Sequence, residues 1–273
     1  MEILLEIIMI PAVLAIIKIV VIVLFFAMPL GTFLTLMERK WSAMIQDRVG
    51  PNRANIGNFT GHGIMHLAAD GLKSIFKEDT MPKGADGFLY LIAPFFGLIA
   101  AVATFAIIPI AGPIGDFTFQ VTDIEPGLLF IFAITSLSVY GAVLAGTSSN
   151  SKFALLGGTR ASAQMISYEV FMGLALMGIF MVYGTTRVSG IVDGQNEYWF
   201  GSLIPMWGVF TQPLGFVLFF TALVAETKRA PFDAPEGESE IVAGYFLEYS
   251  GMRWSAFMLA DRKSTRLNSS HFA

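Results

Sequence analysis

The chain has 273 residues, of which 55% are hydrophobic and only 14% charged, with a mean hydropathy of +0.66. A soluble domain carries about 25% charged residues, so the composition excludes an ordinary soluble globule and points to a membrane protein. The formal charge of −4 says little by itself, and the lack of cysteine excludes disulfides, thiolate zinc sites and Cys-ligated iron–sulfur clusters within these residues.

Six apolar segments follow one another along the chain. The first, roughly Ile10 to Met37, is interrupted by Lys18, whose simplest reading is a lysine that snorkels to the membrane edge. It is long and lacks a basic lead-in, so it reads as a membrane helix and not as a cleaved signal. The second runs from about Phe88 to Ile110 and the third from Gly127 to Thr147. The fourth runs from Ala161 to Tyr183 and the fifth from about Ile204 to Ala225. A bilayer-crossing helix needs about 20 residues, so each of these five is expected to cross. The sixth starts near Tyr245 and stops near Ala260, too short to span. Pro29, Pro94, Pro109 and Pro213 lie inside segments, which membrane bundles tolerate. The predicted fold is therefore all-α: a polytopic membrane helix bundle of five complete spans and a truncated sixth.

Lysine and arginine set the expected orientation. The loop after segment one holds Arg39, Lys40, Arg48, Arg53, Lys73, Lys77 and Lys83. The loop after segment three holds Lys152 and Arg160, and the loop after segment five Lys228 and Arg229. The opposite loops hold Arg187 and otherwise acids, so the N-terminus is expected outside and the basic loops in the cytoplasm or matrix. Within the first basic loop, "HGIMHLAADGLKSIFK" repeats apolar residues at helical spacing and reads as an amphipathic helix on the membrane surface. His62, His66 and Asp70 fall at i, i+4 and i+8 and could in principle hold zinc. A polar surface face accounts for Lys73 and Lys77 as well, and no metal site is assigned.

The tail "DRKSTRLNSSHFA" breaks abruptly with this pattern. It resembles translated sequencing-adapter sequence, so residues 1–260 are expected to form the membrane domain and 261–273 a non-native tail, with further membrane helices missing. The alternative is a genuine soluble C-terminus.

Three places carry candidate chemistry. Glu169 lies about nine residues into segment four, some 12 Å beyond its expected start. A carboxylate cannot snorkel that far, so it reads as a buried acid able to exchange protons. "ETKRAPFDAPEGESE" places Glu226, Asp233, Glu236, Glu238 and Glu240 at the mouth of segment five, with Glu248 beyond. Pro231 and Pro235 prevent a continuous helix, so these acids ride on an irregular loop and titrate as a coupled unit. A solvated acidic loop is the plain alternative, but the flanking Phe232, Ile241, Val242 and Tyr245 favour packing against an apolar interior. "MERKWSAMIQDRVGPNRANIG" gathers Glu38, Arg39, Lys40, Gln46, Asp47, Arg48 and Arg53 around a turn, suited to a pocket or a soluble partner. There is no phosphate-binding loop, dinucleotide fingerprint or H-E-x-x-H motif, so nothing in the chain binds a nucleotide or performs nucleophilic catalysis alone.

That last stretch, "SSNSKFALLGGTRASAQMISYEV" and "ETKRAPFDAPEGESEIVAGYFLEYSGM" closely resemble the H-subunit family of NADH:quinone oxidoreductase, the bacterial counterpart of subunit 1 of mitochondrial respiratory complex I. The resemblance covers nearly all of residues 1–260. It implies a bacterial inner-membrane protein with a periplasmic N-terminus, without catalysis in isolation. It would anchor the hydrophilic arm, build the quinone tunnel and couple quinone reduction to proton translocation. The substrate would be a quinone, ubiquinone or menaquinone, and the flavin and iron–sulfur clusters would sit in partner subunits. By motif match, Glu38, Arg39, Arg48, Asp70, Lys73, Arg229 and Phe232 correspond to tunnel and interface positions. Glu169, Glu226, Asp233, Glu236, Glu238, Glu240 and Glu248 correspond to the proton relay. Lys228 departs from the pattern, where Asn is common. The equivalent subunit of a membrane-bound hydrogenase, or a free-standing proton or cation transporter, stays open on the sequence.

Overall fold

A computed structural model describes residues 13–55, 61–109, 120–199, 204–228 and 231–261. Among them the regular structure is almost entirely helical. Helix α1 runs Val13–Ile45 through a single π-turn at Val23–Ala27. Then come α2 (Ile64–Phe76), α3 (Gly87–Thr104), α4 (Gly127–Thr135), α5 (Leu137–Ser148) and α6 (Lys152–Tyr183). A short helix α7 (Val188–Gln195) leads to a two-stranded hairpin, β1 (Tyr198–Trp199) and β2 (Ile204–Pro205), paired antiparallel as Tyr198↔Pro205 and Trp199↔Ile204. Last come α8 (Gly208–Thr211), α9 (Pro213–Glu226), α10 (Glu238–Ile241) and α11 (Gly251–Asp261).

Four stretches among the described residues are long and apolar enough to cross a bilayer: α1, α3, α4–α5 taken together, and α6. The fifth predicted segment is divided. Gln212 leaves helical geometry at φ −141°, and Pro213, which has no N–H to donate, opens α9 as its first residue. The third segment is nearly continuous, with one turn at Ser136 between α4 and α5. Two boundaries move. The first segment stays helical past Met37 to Ile45, because nothing in "ERKWSAMI" breaks a helix. The fourth begins at Lys152, nine residues before its expected start, carrying Gly157 and Gly158 inside the helix. Glu169 therefore stands about 26 Å along α6, further from the helix start than the sequence suggests. Predicted segment six is a 3₁₀ turn at Gly244–Phe246 followed by α11. Residues 262–273, the suspected tail, lie outside the described residues.

The core sits where α3, α5, α6, the Gly244–Phe246 turn and α11 meet. Tyr90, Ala93, Ala142, Ala145, Ala161, Tyr245, Phe246, Tyr249, Phe257 and Met258 are all buried there. Small residues let the helices approach closely, and aromatic rings fill what remains. Gly157 on α6 is the tightest case: a Cβ there would come within 2.5 Å of the Gly244 Cα and 2.6 Å of the Tyr245 nitrogen. Large apolar side chains on the outward faces, among them Phe25, Leu174, Met181 and Leu214, are exposed, as a lipid-facing surface requires.

Candidate functional site at one end of the bundle

Helices α1, α5 and α9 finish at the same end of the bundle at which α3, α6 and α11 begin, and most of the predicted site residues gather there. The acid loop is held by one face of α6. Gly157, Arg160, Gln164 and Tyr168 recur at helical spacing and so line one stripe. Gly157 receives the Gly244 backbone. Arg160 Nη1 pairs with Glu240 Oε2 at 2.7 Å on the exposed rim. Gln164 Nε2 donates to two carbonyls, Ala225 at 2.8 Å and Phe232 at 2.7 Å, and so pins both the end of α9 and the start of the loop. Tyr168 meets the Phe232 ring edge-on at 5.5 Å between centroids. Glu169, the next residue, is half-buried.

The loop folds as short turns and the single helical turn of α10, not as one continuous helix. The Glu236 N–H donates to the Asp233 carbonyl at 3.0 Å, and the N–H groups of Glu240 and Ile241 donate to Gly237. Glu226, Asp233 and Glu236 are half-buried and Glu240 is exposed. Lys228 is 1% exposed; its Nζ donates to Tyr245 Oη at 2.8 Å and lies 4.7 Å from the centre of that ring. Arg229 and the side chain of Glu238 lie outside the described residues.

Glu248 enters through its backbone. Its carbonyl accepts from Tyr90 Oη at 2.7 Å, while Tyr90 and Tyr249 stack at 4.1 Å with planes 6° apart. Burial pushes the Tyr249 phenol up to about 12, against the weaker opposing effects of Ser148 and Arg253. It keeps its proton and donates to the Tyr90 carbonyl at 3.2 Å. Arg253 pairs with Asp79 at 3.0 Å and lies over the Tyr90 ring at 5.4 Å. The loop after α2 is thereby tied to the start of α11, reinforced by Ser250, whose hydroxyl accepts from the Thr80 N–H at 3.0 Å.

The second constellation closes on itself. Arg39 Nη1 at the end of α1 meets Asp70 Oδ2 on α2 at 2.6 Å, joining two residues 31 positions apart that belong to separate motifs in the sequence. Glu38 is half-buried beside Arg39, while Lys73 and Arg48 are exposed. His66 Nε2 accepts the backbone N–H groups of Arg53 and Ala54 at 3.1 and 3.2 Å, which fixes the "GPN" turn against α2. His66 and Asp70 thus serve different partners, and among the described residues no group of three His, Asp or Glu side chains converges on one point.

Three participants are not evident from the sequence pattern. Gln164 gives one signal, an amide inside an apolar helix, which in a membrane must find partners. Lys228 stands out only as a departure from the family pattern, and the polar role of Tyr245 is invisible until the loop turns back on α9.

The fold and this site define a class: a multi-pass membrane helix bundle with a polar, acid-bearing loop folded against its interior at one end. The chain belongs to the NADH dehydrogenase family, whose family model matches residues 17–272. It is 44% identical over 246 residues to the first of the NADH-quinone oxidoreductase H subunits of Geobacter metallireducens, covering 89% of this chain and 71% of that protein. It is 42% identical over 246 residues to the second such H subunit of Geobacter sulfurreducens, with the same coverage. The NADH-quinone oxidoreductase H subunit of Bacillus cytotoxicus is 42% identical over 241 residues, 88% of this chain and 67% of the relative.

Proposed function

We propose that the chain is the H-type membrane subunit of a proton-translocating NADH:quinone oxidoreductase, and that it couples reduction of a bound quinone to proton movement. Family membership supports the first half. The second rests on one observation: a single stripe of α6 holds the acid loop against the apolar core instead of releasing it to solvent. Quinone reduction takes up two electrons and two protons. A charge change at a low-dielectric boundary is felt strongly by nearby carboxylates, so a loop of coupled acids there can sense the event and pass a proton on.

In this reading Glu38, Arg39, Arg48, Asp70, Lys73, Arg229 and Phe232 line the quinone path or the surface that meets the hydrophilic partners. Glu169, Glu226, Asp233, Glu236, Glu238, Glu240 and Glu248 form the relay. Ubiquinone or menaquinone is the substrate, and flavin and iron–sulfur clusters in partner subunits deliver electrons from NADH. The basic loops face the cytoplasm of a bacterial inner membrane, with the N-terminus periplasmic. Glu226→Gln and Glu238→Gln, introduced into the assembled complex, are expected to lower coupled quinone reduction roughly tenfold, a barrier increase of about 1.4 kcal/mol, with complex content unchanged. Full turnover and full pumping in both variants would exclude the relay.

A further inference from the structure

Lys228 is a buried cation that the relay just described does not use. It lies two residues past the end of α9, almost wholly enclosed, with its ammonium on the Tyr245 hydroxyl and over the same ring. Its backbone is left-handed, φ +49°, a conformation that a lysine adopts at a cost that Asn largely avoids. Enclosing an ammonium is a second cost unless opposite charge or strong acceptors surround it. A sequence that needed only a turn here would be better served by a small neutral residue, so the side chain itself is what the site uses.

Its partner leads directly to the acids. Gly244, next to Tyr245, packs so tightly on the preceding turn that a Cβ would come within 2.3 Å of the Pro235 carbonyl oxygen and 3.5 Å of the Glu236 Cα. The Lys228–Tyr245 bond therefore joins the end of α9, which bears Glu226, to the turn that bears Asp233 and Glu236. Among the described residues, the charged groups on the packed elements include Lys152 and Arg160 on α6, the latter held by Glu240, Glu169 further along α6, Glu248 ahead of α11, and Arg253 on α11, held by Asp79. Both of those arginine pairs are partly exposed, whereas Lys228 is enclosed.

We propose that Lys228 is the internal counter-charge of the acid loop: a positioning residue that clasps α9 to the 233–248 segment through Tyr245 and sets the charge balance under which the loop's carboxylates exchange protons. The inference rests on the loop being the coupling element. A positive charge favours the ionised form of neighbouring acids, and an enclosed charge is screened less than an exposed one.

The test uses the assembled complex and follows quinone reduction per assembled complex across pH. Lys228→Asn suits the left-handed backbone but removes the charge, Lys228→Arg keeps the charge, and Tyr245→Phe removes only the hydroxyl. Without the cation the acids as a set release protons less readily. The acid limb of the profile is therefore expected to move to higher pH by about half a unit to one unit in Lys228→Asn. Tyr245→Phe should move it in the same direction by less, and Lys228→Arg should leave it in place. An unmoved limb in Lys228→Asn, or a loss uniform in pH that tracks lower complex content in both lysine variants, overturns the proposal and leaves Lys228 a packing residue. If Glu226→Gln and Glu238→Gln leave rate and pumping intact, the coupling reading itself fails. If those two impair turnover while Lys228→Asn shifts nothing, only the inference about Lys228 fails.

Discussion

The two ends of the bundle solve the same problem, where to put polar groups beside an apolar interior, in opposite ways. At the end where α3 and α6 finish, polar groups make rim contacts. Ser189 donates to Asp123 at 2.7 Å, Arg187 lies 4.0 Å from the same carboxylate, Thr186 donates to the Glu125 carbonyl, and the Tyr183 hydroxyl donates to the Met206 carbonyl. The Asp123 and Arg187 side chains are 37% and 47% exposed. At the other end the polar groups are drawn inward: Lys228, Ser148 and Ser149 are buried, and Gln164, Tyr90 and Tyr249 hold main-chain carbonyls inside the core. Enclosed polar groups cost folding free energy unless each finds a partner, and rim groups cost almost nothing. Among the described residues the buried polar side chains Lys228, Ser148 and Ser149 all lie at the inward end, which fits the use proposed for that end in work that needs a low dielectric.

On this contrast, the largest effects should come from disturbing the inward end's packing. Gly157→Ala pushes a Cβ against backbone atoms of Gly244 and Tyr245 at 2.5–2.6 Å, and backbone cannot rotate away. We expect destabilisation of about 1–3 kcal/mol or more, read as a lowered thermal midpoint of the detergent-solubilised complex, with loss of turnover. Gly173→Ala on the same helix, where nothing lies within 4 Å, is the control and should be neutral. Equal behaviour of the two would show that the Gly157–Gly244 contact is not tight. Next comes Gln164→Leu, which leaves the Ala225 and Phe232 carbonyls without their amide donor. About 1–3 kcal/mol is expected, together with loosening of the acid loop, visible as faster hydrogen exchange across 231–245. An unchanged exchange pattern would mean that the loop is held by its apolar contacts alone.

The helical bundle is legible in the sequence because long apolar runs leave few alternatives in a bilayer. Boundaries are less so. "SKFALLGG" falls in the loop that the sequence places ahead of Ala161, yet Gly157 and Gly158 are helical because close contact with the Gly244 turn and with α5 compensates for their poor propensity. The division at Gln212 is signalled by Pro213, which a membrane helix could equally have tolerated. The acids of the loop are legible as an unusual charge density beside an apolar segment. What holds them is not. The roles of Gln164, Lys228 and Tyr245 depend on contacts between residues 17 to 68 positions apart, and a linear pattern does not record which carbonyl a side chain will reach. The Arg39–Asp70 pair is similar: each residue stands out in its own motif, but only the fold of α2 back onto α1 makes them one feature.

The smallest expected effect is the sharpest check on the contrast between the ends. Ser189→Ala removes a hydroxyl from the exposed Asp123 carboxylate, leaving Arg187 as its neighbour. Water or lipid headgroups can replace a hydrogen bond made at the rim, so stability should change by no more than about 0.5 kcal/mol. Turnover and the proton-to-electron ratio should stay at parental values, and raising the salt concentration should alter none of these, because a screened rim contact has little left to lose. The measurement is turnover and pumping per assembled complex, beside the thermal midpoint. A clear fall in either rate at unchanged complex content would mean that the outer end also handles charge during the reaction. The inward and rim ends would then differ in burial but not in role.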